Sequence, residues 1–152
     1  MRRKVHLWGP VAALGMAVLA CAQGPTTRFS VIQVSGEKDV ARPAAWVIRS
    51  DEEWRKFLGE TLAYSGPPPR IDFTQNTVVA IFAGEKSTGG YSVRVDRITD
   101  DSSPGQPSSG TVHYRVIAPP PDAFVTQAFT YPYVIVRIER RFEQIRFQPP
   151  LG

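Results

Sequence analysis

Hydrophobic residues in the middle of the chain recur at every second position. Tyr91, Val93 and Val95 alternate with Ser92, Arg94 and Asp96, and Val112, Tyr114 and Val116 flank His113 and Arg115. That period turns one row of side chains to a core and the other to water, so both segments are predicted to be half-exposed antiparallel strands. Val78-Val79-Ala80-Ile81-Phe82-Ala83 is apolar throughout, which suits a central strand covered on both faces. Arg28 to Val34, Ala44 to Arg49, Tyr133 to Glu139 and Phe142 to Phe147 complete the predicted strands. In the last, Ile145 and Phe147 share a face that Phe142 does not, which predicts a bulge or turn between Arg140 and Glu143.

One stretch has a helical period instead. Trp54, Phe57, Leu58 and Leu62 fall on one face, directly after Ser50-Asp51-Glu52-Glu53. Ser50 can cap, Glu53 can complete a capping box, and acidic residues in the first turn suit the helix dipole. One amphipathic helix is therefore predicted over about 51–62, ended by Tyr64 to Pro69. Together the elements predict an α+β fold, mainly β: an antiparallel sheet or sandwich of about six or seven strands carrying one helix.

The connections are readable from their turn residues. Gly84 to Tyr91 reads as a hairpin turn between Phe82 and Ser92, with Gly89 and Gly90 supplying positive φ. A phosphate-binding loop is excluded there, because Gly90 and Tyr91 stand where Lys and Ser or Thr are needed and a strand follows in place of a helix. Asp100 to Gly110 is a solvated hairpin connection, and Asp100-Asp101 lacks the ligand spacing of a calcium loop. Pro119 to Tyr133 is stiffened by prolines and carries Phe124, Phe129, Tyr131 and Tyr133. Most of these aromatics are predicted to cover the open end of the core, the rest to form a contact surface.

The N-terminus changes how the composition is read. Met1-Arg2-Arg3-Lys4, an apolar stretch from Leu7 to Ala20 and Cys21-Ala22-Gln23-Gly24 have the order of an export signal. The apolar part is too short to span a bilayer as a helix. Val18-Leu19-Ala20-Cys21 resembles the lipobox of bacterial lipoproteins, in which the cysteine becomes the first residue and carries the lipid. Cleavage after Ala22 is the alternative, since Ala20-Cys21-Ala22 also fits a small-x-small site. The expected organisation is thus a signal over 1–20, lipidation at Cys21, a tether over 21–27 and one β-rich domain over 28–152, working outside the cytoplasm. The whole chain of 152 residues has 18 Lys and Arg against 14 Asp and Glu. Loss of Arg2, Arg3 and Lys4 leaves 15 against 14, so no basic patch for nucleic acid is implied. Cys21 is the single cysteine, which excludes an internal disulfide and leaves stability to packing.

Candidate chemistry is sparse. Beyond the signal, His113 is the one histidine, and its place on the same strand face as Arg115 reads as a surface strand residue rather than a general base. Zinc sites of Cys and His are excluded, and no metal or cofactor is implied. Nothing selects a carboxylate pair, because Asp51, Glu52 and Glu53 already have a capping role.

The order of the motifs resembles the C-terminal domain of the PrcB family, small exported proteins found in complexes with secreted proteases. The resemblance runs roughly from Val78 to Phe147: an apolar strand, a Gly-rich turn with Thr88-Gly89-Gly90-Tyr91, an alternating strand, a later strand, a Pro-rich connection, then Tyr131-Pro132-Tyr133 leading into a last apolar strand. It implies a non-enzymatic role, binding and stabilising an extracytoplasmic protease or an envelope complex, with contact to the membrane through the anchor only. Thr88-Gly89-Gly90-Tyr91 is also similar to a loop of chagasin-like inhibitors of cysteine proteases, although their Asn-Pro start and Arg-Pro-aromatic third loop are missing. A small-molecule or glycan-binding β domain is a third class. The expected contact end combines Thr88, Gly89, Gly90 and Tyr91 with Tyr131, Pro132 and Tyr133, which otherwise would only close turns and core.

Overall fold

The computed structural model describes residues 24–34 and 39–151. Along them run β1 (Phe29–Val31), β2 (Ala44–Ile48), α1 (Asp51–Lys56) with a π-helical continuation (Phe57–Thr61), β3 (Thr77–Phe82), β4 (Ser92–Asp100), β5 (Ser109–Ile117), β6 (Tyr133–Ile138) and β7 (Gln144–Gln148). The export segment and Cys21 lie outside the described residues. The fold is α+β and mainly β, with seven strands in two sheets and one short helix among the described residues.

β3 organises the layers. Its six residues are all buried, as an uninterrupted apolar run requires when both faces are covered. Val78, Ala80 and Phe82 pack with Trp54, Phe57, Leu58 and Leu62 of the helix. Val79 and Ile81 turn the other way, against Val93, Val95, Ile98 and Val112 of the second sheet. The period-two geometry of one strand thus joins a helix layer, a four-stranded sheet in the order β1-β6-β3-β2 and a three-stranded sheet in the order β4-β5-β7. Each large side chain fully buried in this way contributes about 1.5–3 kcal/mol.

The helix forms where its cap predicts. Ser50 has extended backbone, and its Oγ accepts from the Glu53 N–H at 3.2 Å. Glu53 differs from a standard capping box: its Oε2 accepts from the Arg49 N–H at 2.7 Å, one residue before the cap. Arg49 is held in turn by donating to the Phe142 and Glu143 carbonyls, both at 2.9 Å. At the other end the last turn widens, with Leu62 N–H donating to Phe57 at 3.2 Å, and Ala63 ends the helix at φ +52. Ser50→Ala should cost about 1 kcal/mol of stability by removing an acceptor for an unpaired helix N–H. A shift of the urea midpoint without a change of slope checks this, and an unchanged midpoint would remove Ser50 from the account.

Several connections differ from the sequence reading. The Gly84–Tyr91 segment is a crossing between sheets and not a hairpin, because β2 and β6 already occupy both edges of β3 and leave β4 no place beside it. Positive φ falls at Gly84 (+73) and Gly90 (+83), with Gly89 outside that set. The register shift lies in β4, between Val95 and Arg97. Arg140 to Glu143 is a turn, as expected, and it carries the chain from one sheet to the other. β7 consequently pairs parallel to β5, from Ser109↔Gln144 to His113↔Gln148, so the sheets are not wholly antiparallel. Pro25 to Thr27, assigned to the tether, instead pair with the far end of β4: Thr27 N–H donates to Ile98 and Asp100 N–H to Pro25, each at 2.8 Å.

Candidate functional site

Two connections meet at the end of the molecule where β3 stops and β4 begins. The inter-sheet crossing 83–91 lies alongside the Pro-rich segment 118–132, and backbone bonds stitch them together. Lys86 and Thr130 exchange N–H to carbonyl bonds at 2.8 and 2.9 Å, Gly89 N–H donates to Thr126 at 2.9 Å, and Ala83 N–H donates to Pro132 at 2.9 Å. Thr130 Oγ1 adds a bond to the Thr88 carbonyl at 2.8 Å. Gly90 is required here on two counts. Its φ is +83, and a Cβ would stand 2.8 Å from Pro119 Cβ and 3.0 Å from Val125 Cγ1.

The structure places the expected contact residues at this end, in different roles. Thr88 and Gly89 are spent on the stitching, with Gly89 buried. Gly90 is exposed and Tyr91 half-buried, with the Lys86 ammonium 6.0 Å from the Tyr91 ring centre. The half-buried Tyr131 donates its hydroxyl to Glu85 Oε2 at 3.0 Å, and that bond, ahead of burial, raises the phenol above its ordinary range. Pro132 is half-buried and accepts from Ala83. Tyr133 belongs to the core side: its ring stacks on Phe82 at 5.0 Å and its hydroxyl donates to the Val34 carbonyl at 2.7 Å.

The larger correction concerns Phe124 and Phe129, expected mostly as core cover. Their relative exposures are 108% and 66%, whereas the core beneath is closed by Phe82 and Tyr133. Residues 120–124 and 126–129 are all exposed, so the Pro-rich segment stands off the sheets and carries its phenylalanines outward. Ala123, Val125 and Ala128 beside them are as apolar as core cover would need, so the sequence holds no signal that separates the two outcomes.

Among the described residues no group of three or more His, Cys, Asp or Glu has metal-holding geometry. His113 is half-buried on β5, and burial followed by the nearby Arg97 pushes its imidazole below the usual range, against an opposing pull from Asp101. Asp100 pairs with Arg140 at 2.7 Å. Burial would raise the Asp100 carboxyl, but the Ser102 hydrogen bonds and Arg140 outweigh it and set it below its ordinary value of 3.8. A depressed native value means that this carboxylate contributes stability above its unfolded pKa and loses it as pH falls through the native one. Asp100→Asn should therefore lower stability at neutral pH, and acid unfolding curves of the two proteins should converge below that window; a gap independent of pH would refute the assignment.

Comparison with curated proteins and with solved structures gives no significant match. Comparison with protein families matches residues 77–139 to the family described as PrcB C-terminal. The match begins with β3 and ends just after β6, so it takes in both stitched connections and leaves β1, β2, the helix and β7 outside. The likeness to the PrcB C-terminal family thus spans residues 77–139, the part of the chain that builds the stitched loop end.

Proposed function

We propose that the protein is a non-enzymatic binding module, exported and lipid-anchored through Cys21, that associates with and stabilises an extracytoplasmic protease or envelope complex. The observation that carries this reading is the stitched loop end with Phe124 and Phe129 both exposed on one of its segments. Exposed phenylalanines on a preorganised loop gain free energy when a partner covers them, and little ordering entropy opposes that gain.

The placement of the N-terminal residues supports the same reading. Pro25 to Thr27 pair at the Asp100 end of β4, and the loop end lies at its Ser92 end. At about 3.3 Å per residue, the two ends of that strand are about 26 Å apart. A lipid on Cys21 would hold the polar 101–108 connection near the bilayer and turn the aromatic end toward other proteins.

The test is a crosslinking pull-down from the native envelope with the tethered protein and with a Phe124→Ala/Phe129→Ala double variant. The native protein should enrich a protease or its assembly partners, and the variant should lose them without a change in thermal stability, since both rings are exposed. Recovery of the protein alone, or equal capture by the variant, would defeat the proposal. Intact mass of the envelope-extracted protein separately reports the acyl chains on Cys21. Titratable slowing of a papain-type protease by the purified protein would redirect the reading to inhibition.

A further inference from the structure

The seam between the two sheets is closed at one end and open at the other. β4 is an edge strand, and its free edge is covered by Pro25 to Thr27 only at Ile98, Thr99 and Asp100. The covering segment then leaves β4 for the other sheet, where Phe29 to Val31 pair with β6 and Ile32 N–H donates to Ile135 at 2.8 Å. Over Ser92 to Arg97 no backbone pairing is seen on that free edge among the described residues. The outer edge of β1 is likewise unpaired there. Between these two edges lies a groove of about 520 Å³, walled by the backbone and side chains of residues 31–34, 93–95 and 133–135, Gln33 and Arg94 among them.

The geometry points to this groove as a second binding site, one that takes an extended segment of a partner polypeptide as an added strand antiparallel to β4. Its ladder continues the one that Pro25 to Thr27 begin on the same edge, so direction and pairing are set by contacts already made. Alternation of β4 determines the ligand's chemistry. Val93 and Val95 face inward, so every second side chain of the added strand is apolar, and Arg94 and Asp96 face outward. Arg94 stands directly opposite Arg115, and the pair share the single Asp96 carboxylate at 3.7 and 3.1 Å. Two like charges across a ladder with one counter-charge between them leave a positive excess beside the groove. An acidic side chain between the apolar ones, in register with Arg94, supplies the missing charge.

The probe is a blocked, fluorescein-labelled hexapeptide of sequence Thr-Val-Glu-Val-Thr-Val, with a second peptide carrying Lys for Glu. The full protein should bind the acidic peptide saturably, and the lysine peptide about three- to fivefold more weakly, as a charge contact at an exposed arginine requires. Amide hydrogen exchange should slow at 31–34 and 92–97 on binding. Arg94→Glu, an exposed change whose folding circular dichroism verifies, should reverse the preference between the peptides. Absence of saturable binding, protection centred on 83–91, or an unchanged preference in Arg94→Glu would each overturn the site. So would a concentration-dependent dimer protecting the same edge without peptide, because a second copy would then be the occupant. The Phe124→Ala/Phe129→Ala variant should keep peptide binding in full, which separates this site from the loop end; loss of binding in that variant would also overturn it.

Discussion

Phe142→Ala should lower the free energy of unfolding by about 3–5 kcal/mol, the range expected when a fully buried phenylalanine is truncated. Phe142 lies outside the matched PrcB segment, yet its ring is fully buried between the two sheets. Gly110 on β5 is bare beneath it: a Cβ there would meet the ring at 2.9 Å. The backbone is held as firmly, with Phe142 N–H donating to the buried Thr77 Oγ1 at 2.9 Å and its carbonyl accepting from Arg49 Nε at 2.9 Å. Such a site collapses poorly around a smaller side chain, because the Phe142 backbone is tied to Thr77 on one side and Arg49 on the other, so the cavity cost adds to the transfer cost. Urea titration should show the loss as a lower midpoint. A cost below about 1.5 kcal/mol would mean that the sheets can close over the gap and that Phe142 is not what joins them.

Gly90→Val should cost about 2–3 kcal/mol, and its damage should be local. The residue sits at φ +83, a region that a β-branched side chain strongly resists, and the added atoms would strike Pro119 and Val125. Relief requires the 118–132 segment to move off the crossing, which breaks the Gly89 to Thr126 and Lys86 to Thr130 bonds. Exchange of those amides should accelerate while β3 and β6 stay protected, and partner capture should fall with them. Intact protection at Gly89 and Thr130 would show that the loop end tolerates the side chain and that its rigidity has another source.

What could be read from the residues was local or two-sided. Ser50 and Glu53 announce the helix because a cap satisfies bonds within one turn. Val78 to Ala83 announces a central strand because burial on both faces leaves no polar position. The sheet to which β4 belongs could not be read, since it depends on which strands already hold the edges of β3. Parallel pairing of β7 was hidden for the same reason: it follows from where the Arg140 to Glu143 turn sends the chain. Of the candidate site, the company kept by Thr88 to Tyr91 and Tyr131 to Tyr133 was legible in motif order, and their spatial meeting agrees with it. The exposure of Phe124 and Phe129 was not, because an aromatic residue in a Pro-rich connection is cover or contact according to how far the connection stands off the sheet. Gly84 and Gly89 are equally plausible turn glycines by composition, and only the path of the crossing separates them.

The passage of residues 25–32 from one sheet to the other also determines how the fold carries load. A pull between the N-terminal end and the loop end runs along the strand axis, and ladder bonds lie across that axis. Those tying residues 25–27 to β4 and residues 29–32 to β6 would be sheared together and not opened one at a time. The two sheets would share the tension through a single segment, with strong resistance to a pull along the line from the N-terminal end to the loop end.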